Sequence, residues 1–432
     1  MNKALMLLLI AFCASCQSPE LKTSHVVTSD IDNFWQAFDA VVQETDSARQ
    51  MHLIDSLYIQ RGSVGLDRIR EVRQYTLEDY REMINRYPKF LNSLRANTLQ
   101  SKRMAKELND GITKLEAIYS PLRPAAIYFT MGCMRTNGTT RDSLVLIGSE
   151  LAMADSSIDI SEFEGRTHDW LATYFGSNPL DHLVLLNVHE YVHTQQHPIS
   201  DRLLYRVLYE GVAEFVSVKA MGVPSAAPAI EYGKGNPRVK EKFEKEMFYE
   251  WTHDWLWSNS VNEFGVRDLG YYIGYAIAES HYEQAADKRQ AIKELIELDY
   301  EDSESVDAFI NQTGFFSKAI DDLWKEDQKN RPSVVRLQPF ENGSKAVDPN
   351  TEQITIQFSE PLNGFNTGVN YSDLGEDAFP LVTDRIWAED SLSWTLQVKL
   401  EPQTKYKFWV TSNFRTSNDV ALLPHLVEFE TE

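Results

Sequence analysis

The hydrophobic period of this chain changes for good at Asn330-Arg331-Pro332, and that change limits the folds open to it more than any other feature. Before the break, apolar residues recur at helical spacing, as in Phe34, Trp35, Phe38, Val41 and Val42. From Val334 onward they alternate in period two, as in Ile354-Thr355-Ile356-Gln357-Phe358 and Trp394-Thr395-Leu396-Gln397-Val398, with turn residues between the runs. A helical pattern does not settle into a sheet, nor the reverse. The expectation is therefore an α+β protein, with a mainly helical body carrying a small sheet and then an all-β module over 333–432. A length of 432 residues agrees with two or three domains, and 43% apolar with 11% aromatic residues supply their cores.

Helices are expected through 31–120, with further stretches at Tyr75 to Tyr87 and Phe90 to Leu115, and Pro88 opening a new helix after Tyr87. A second body is expected over 121–330. It begins with strands at Ala125 to Met131 and Ser143 to Ile147, separated by a loop rich in Gly, Thr and Asn from Cys133 to Asp142. Helical spacing resumes around Trp170, Leu171, Tyr174 and Phe175, again from Phe243 to Trp257, and in a helix opening at Gly270 and running to about Gln284. The Pro/Gly-rich stretch Gly222 to Pro237 reads as a lid or a connector.

The chemistry is concentrated in His189-Glu190-Tyr191-Val192-His193. Two imidazoles four residues apart on a helix lie on one side and can grip one zinc ion, while the carboxylate of Glu190 sits where a general base for water is needed. Catalytic zinc commonly adds one Glu and leaves its fourth position open. Leu208-Tyr209-Glu210-Gly211-Val212-Ala213-Glu214-Phe215 follows after a break at Pro198 and Ser200 to Asp201, so the pattern is helix, turn, helix. An antiparallel second helix brings Glu210 to the metal. Glu214, one turn further on, accepts the free ring N–H of His189 or His193 and fixes its tautomer. The exchange of these two roles is the alternative. His197 lies one helical turn beyond His193, but Pro198 ends the helix there, which favours a capping role.

HEYVH followed by EGVAEF resembles the gluzincin metallopeptidases, whose aminopeptidase N branch carries HExxH and then an NEGFAE-type segment. The resemblance places the third ligand at Glu210, the residue before the Gly; Tyr209 stands where Asn is usual, and His193 and Glu210 are slightly closer in sequence. It implies a zincin-like domain with one Zn2+ per chain. Gly270-Tyr271-Tyr272-Ile273-Gly274-Tyr275 is similar to the Tyr-x-x-Gly segment of the same group, which makes Tyr271 the candidate oxyanion donor ahead of Tyr272 and Tyr275. In gluzincins an edge strand ahead of the metal helix pairs with extended substrate, and the segment Gly148 to Ala152 lies where such a strand is expected. Glu150 is then a candidate for meeting a substrate amine, against the alternative of a solvated turn carboxylate. A closer likeness is to bacterial predicted zinc-dependent proteases and to the gliding-motility lipoprotein B family of Bacteroidota, which share the order lipidated N-terminus, helical region, HExxH.

The β module resembles the bacterial Ig-like repeat of surface proteins in Pro339-Phe340-Glu341-Asn342-Gly343, Val347-Asp348-Pro349-Asn350, Ile354 to Leu362 and Tyr406-Lys407-Phe408-Trp409-Val410. An Ig-like sandwich of about a hundred residues is implied, with envelope proteins as partners. At the other end, Lys3, the apolar run Ala4 to Phe12, and Ala14 and Ser15 before Cys16 read as a lipoprotein signal peptide over 1–16, followed by a tether over 17–30. The run is too short to span a membrane, and an ordinary signal peptide cut nearby is the alternative. Lipidation at Cys16 would leave Cys133 alone, so no structural disulfide is expected.

A net charge of −22 excludes phosphate backbones as partners, so no nucleic-acid role is expected. The reading is an exported, lipid-anchored zinc peptidase of the cell envelope, held at the outer membrane through Cys16, its face undecided, and acting on a peptide or protein substrate. The alternative is a non-catalytic zincin-fold lipoprotein of an envelope or gliding apparatus.

Overall fold

The computed structural model describes residues 25–199, 202–249, 254–257 and 262–432. The signal peptide expected over 1–16 and the expected lipidation site Cys16 lie outside them. Among the described residues no helix is long and apolar enough to cross a membrane. The chain is α+β, as its two periodicities require, and it divides into two compact units.

Of the described residues, the first unit comprises 25–196, Ala213–Ala226 and Arg289–Glu297. Its helices α1 (Ser29–Val41), α2 (Ser47–Ile54), α3 (Val64–Arg73), α4 (Leu77–Arg86), α5 (Pro88–Thr98) and α6 (Ser101–Ile118) fill the region expected to be helical. The starts are written in the sequence. Asp46, Ser63 and Thr76 each accept a backbone N–H in the first turn, Thr76 with Asp79 forming a capping box, and Pro88 opens α5. The single helix expected over Phe90 to Leu115 is two, broken between α5 and α6 at Leu99 and Gln100.

A sheet follows in the order β1-β2-β4-β3, with strands β1 (His25–Val27), β2 (Ala126–Thr130), β3 (Gly138–Arg141) and β4 (Leu144–Gly148). β1 and β4 flank β2 in parallel, and β3 runs antiparallel to β4 with Gly138 opposite Ile147. Three expectations change here. His25–Val27, at the end of the expected tether, is a strand, because its short apolar run finds the open edge of β2. The loop expected between the first two strands contains β3, whose Gly-Thr-Thr-Arg pattern shows no apolar alternation and takes its register from β4. The edge strands are β1 and β3; Ser149–Ala152, placed at an edge by resemblance, is instead the short helix α7. The unit continues through α8 (Gly165–Gly176) to α9 (Leu183–His193).

Helix α10 (Leu203–Met221) runs through the boundary of the two units. The second unit comprises His197–Val212, Ala227–Lys288 and Leu298–Glu432. Pro228 starts a helix, α11 (Pro228–Gly235), within the stretch expected to be a loop, and Pro237 starts α12 (Pro237–Glu246). Next come α13 (Gly270–Gln284), with the bounds the sequence suggested, then α14 (Lys288–Ile296), which from Arg289 on belongs to the first unit, and, back in the second unit, α15 (Ser303–Thr313) and α16 (Ile320–Asn330).

After Pro332 the chain is all β. Strands β5 (Val334–Gln338), β6 (Gln353–Phe358), β8 (Leu381–Trp387) and β9 (Ser393–Lys399) form a sheet in the order β5-β6-β9-β8. Strands β7 (Val369–Tyr371), β10 (Lys405–Val410) and β11 (His425–Glu430) form another in the order β11-β10-β7. Every pairing between these strands is antiparallel. Alternate residues of both sheets meet in one core: Ile354, Ile356 and Phe358, then Trp394, Leu396 and Val398, with Tyr406, Phe408, Val427 and Phe429 from the other sheet. The module is fastened to helical residues of its own unit by Arg331. Its guanidinium is buried, donates to the carbonyls of Ala421 and Leu422 at 2.9 and 2.6 Å, pairs with Asp327 at 3.3 Å and lies 4.9 Å from the Tyr249 ring centroid. Burial pushes the Asp327 carboxyl up in spite of that pair.

Candidate metal centre

α9 carries the HEYVH segment at its C-terminal end. Its apolar face, Leu183, Leu185, Val188 and Val192, is buried. It crosses α6 at Gly111, where a Cβ would stand 3.0 Å from Val188 Cγ2 and 3.3 Å from Val184 Cγ1. Its end is pinned by polar contacts. Tyr191 is fully buried, and its hydroxyl accepts from the Ala125 N–H at 2.8 Å and donates to the Arg123 carbonyl at 3.1 Å. One turn on, the Gln195 amide grips the Arg123 backbone from both sides, accepting at 2.7 Å and donating at 3.1 Å. The Arg123 guanidinium returns the contact, donating to the carbonyls of Thr194 and Gln195 at 2.9 and 2.8 Å. The cap role expected of His197 thus belongs to Arg123. The helix stops at His193, before Pro198 requires it to, and His197 is exposed.

His189 and His193 are 5% and 8% exposed, and their Nε2 atoms stand 3.0 Å apart. Each Nδ1 is engaged on the far side of its ring. His189 Nδ1 donates to Glu214 Oε2 at 3.1 Å, and His193 Nδ1 donates to Gln196 Oε1 at 2.6 Å. The other Glu214 oxygen accepts from the Ser225 hydroxyl. With both ring protons held outward, the two Nε2 atoms point toward one another on the inner side. Glu210, also buried, completes the set: one ligand atom each of His189, His193 and Glu210 lies within 4.8 Å of the others. Two imidazole nitrogens and one carboxylate form a donor set that can hold a metal ion.

The Glu210 and Glu214 assignments follow from position along α10, one turn apart on the same helix. A glycine contact fixes that helix. α10 and α13 touch backbone to backbone at Gly211 and Gly274: a Cβ on Gly274 would stand 2.0 Å from the Val207 carbonyl oxygen, and one on Gly211 would stand 2.1 Å from the Gly274 carbonyl carbon. The Gly of EGVAEF and the second Gly of GYYIG are therefore the two halves of one crossing. Tyr271 lies in the first turn of α13, half-buried. Tyr272 packs on α11, where a Cβ on Gly233 would meet its Cγ at 2.1 Å, and Tyr275 is buried with Lys234 Nζ 4.9 Å from its ring centroid.

Glu190 is half-buried and faces the edge strand: a Cβ on Gly138 would lie 3.5 Å from Glu190 Cγ and 3.6 Å from its Oε1. Glu150 stands elsewhere. It is fully buried on α7, where it accepts from the N–H groups of Gly132 at 2.8 Å and Met134 at 2.9 Å, so it meets neither solvent nor a substrate amine. Burial pushes its carboxyl up against the effect of those two donors. Cys133, free and half-buried, has its thiol pushed up by burial and by Glu150.

Tyr191, Gln195, Gln196 and Ser225 are the residues that sequence reasoning passed over. Gln196 alone had a readable signal, its spacing of three from His193.

No known family model matches this chain, and no curated protein matches it. Among solved structures it is similar to the S-layer protein rSbsC, at 11% identity and a TM-score of 0.18, over 62% of this chain and 38% of that one. The chain thus spans well under half of that structure's length, and a likeness at that score carries no argument about fold or activity.

Proposed function

We propose that this chain is a zinc-dependent peptidase of the gluzincin type, and that its helical body is zincin-like. The observation that carries the reading is the buried group of His189, His193 and Glu210, with both ring Nδ1 atoms occupied on the outer side. His189, His193 and Glu210 would hold Zn2+, which when bound supplies a Lewis acid for the peptide carbonyl and acidifies water. Glu190, next to His189 and lying against Gly138, takes a proton from the attacking water and delivers it to the leaving amine. Tyr271 donates a hydrogen bond to the oxygen on which charge develops. The outer edge of β3 beside Glu190, which no strand pairs among the described residues, offers backbone groups for an extended peptide.

The two antiparallel sheets after Pro332 are proposed to be an Ig-like sandwich that meets envelope proteins, and Cys16 to be the lipid anchor of an exported protein. The test is metal analysis and a peptide-library assay of wild type and Glu190→Gln. The expected result is about one zinc per chain in both and cleavage by wild type alone, with the variant slower by at least about a hundredfold. Zinc without cleavage of any peptide would replace this reading with the structural lipoprotein, and absence of zinc would defeat both.

A further inference from the structure

We infer that Gln196 is a positioning residue of the metal centre, fixing His193 in the one tautomer and orientation that can bind metal. The inference rests on the reading of His189, His193 and Glu210 as metal ligands. A neutral imidazole carries its proton on either nitrogen, and only the Nδ1–H form presents a lone pair at Nε2. Gln196 Oε1 accepts from His193 Nδ1 at 2.6 Å, and both residues are 8% exposed, so water competes little for that acceptor. The backbone places it there. α9 ends at His193, but the Gln196 N–H still bonds to the Val192 carbonyl at 3.2 Å, so the chain makes one more turn and brings the amide back under the ring. That extra turn is anchored by the neighbouring Gln195, whose side chain faces the other way and grips Arg123. The two glutamines after HEYVH thus have separate tasks.

The two ligands are held unequally. Behind His189 stands a carboxylate, Glu214, itself held by Ser225; behind His193 stands a neutral amide. A carboxylate holds the ring N–H by a charge-assisted bond, whereas an amide holds it by a neutral one that orients the ring. Loss of the amide oxygen would strand a buried ring N–H and release the other tautomer, in which Nε2 is blocked.

The test compares full-length wild type, Gln196→Leu and Gln196→Glu by zinc competition against a chromogenic chelator, with thermal unfolding of the metal-free proteins to show that each folds. Gln196→Leu should bind zinc about 10–100-fold more weakly, while Gln196→Glu, which keeps an acceptor, should stay within about threefold of wild type. Nitrogen NMR of the metal-free proteins should show His193 in the Nδ1–H form in wild type and a mixture in Gln196→Leu. Equal zinc affinity in wild type and Gln196→Leu, or equal weakening by Leu and Glu, would overturn the inference. A wild type that binds no zinc would instead defeat the metal reading beneath it.

Discussion

The β module and the metal-bearing helices both hold side chains in fixed places, by opposite means. In the module, Ile354, Ile356 and Phe358 on β6 meet Trp394, Leu396 and Val398 on β9, and the other sheet closes over them with Tyr406, Phe408, Val427 and Phe429. Position there comes from many apolar contacts, each replaceable in kind. Around the metal site it comes from single contacts that have no substitute: the Gly211 and Gly274 backbones, the Tyr191 hydroxyl, the Gln195 and Gln196 amides and the Glu214 carboxylate. The first arrangement is robust and says little about chemistry. The second is brittle, and its brittleness is what fixes a ligand geometry.

The largest effect should come from the apolar side. Trp394 is 1% exposed at the middle of the module's core, and Trp394→Ala should cost about 3–5 kcal/mol in urea unfolding. Zinc affinity of the folded protein should not change. A loss of zinc binding at conditions where the variant is folded would break the comparison, because it would make the module part of what positions the ligands.

Next in size is Gly274→Ala, a single methyl group. Its Cβ would stand 2.0 Å from the Val207 carbonyl oxygen, so the α10 and α13 backbones must move apart. The expected costs are about 1–3 kcal/mol in thermal or urea unfolding and at least about tenfold in zinc affinity, because Glu210 precedes the contact by one residue. Stability lost with zinc affinity intact would show that Glu210 is placed by something other than this crossing.

The same contrast explains what was legible in the sequence. Alternation writes β6, β9 and β10 into the chain directly, and helical spacing with a flanking Gly gives α13 its bounds. His189, His193 and Glu210 could be read because the geometry of one helix dictates a spacing of four, and helix, turn, helix brings a Glu alongside. Glu214 was readable as the next turn of the same helix. What could not be read are contacts between segments far apart in sequence: Tyr191 and Gln195 on Arg123, Gly211 on Gly274, Glu190 beside Gly138. Glu150 failed for the same reason. A Glu after a strand resembles a solvated turn residue until the Gly132 to Met134 backbone folds over it.

Glu150 also provides the smallest effect and a direct test of the polar side. Desolvation is the largest influence on its carboxyl and raises its pKa, with the Gly132 and Met134 N–H groups opposing. In the folded state it therefore binds a proton more tightly than in the unfolded chain, whose value is near 4.5. The contribution to stability is fully present below the unfolded value and declines as pH rises through the folded one. Glu150→Gln removes that titration but sets an amide NH2 against one of the two backbone donors. The stability of wild type minus that of the variant, from urea unfolding at a series of pH values, should be most favourable to wild type at acid pH and fall as pH rises. A difference that grows with pH would mean that the two N–H groups hold Glu150 ionised. The buried carboxylate would then act as an anion anchor for the Gly132 to Met134 turn, a polar contact as singular as those around the metal.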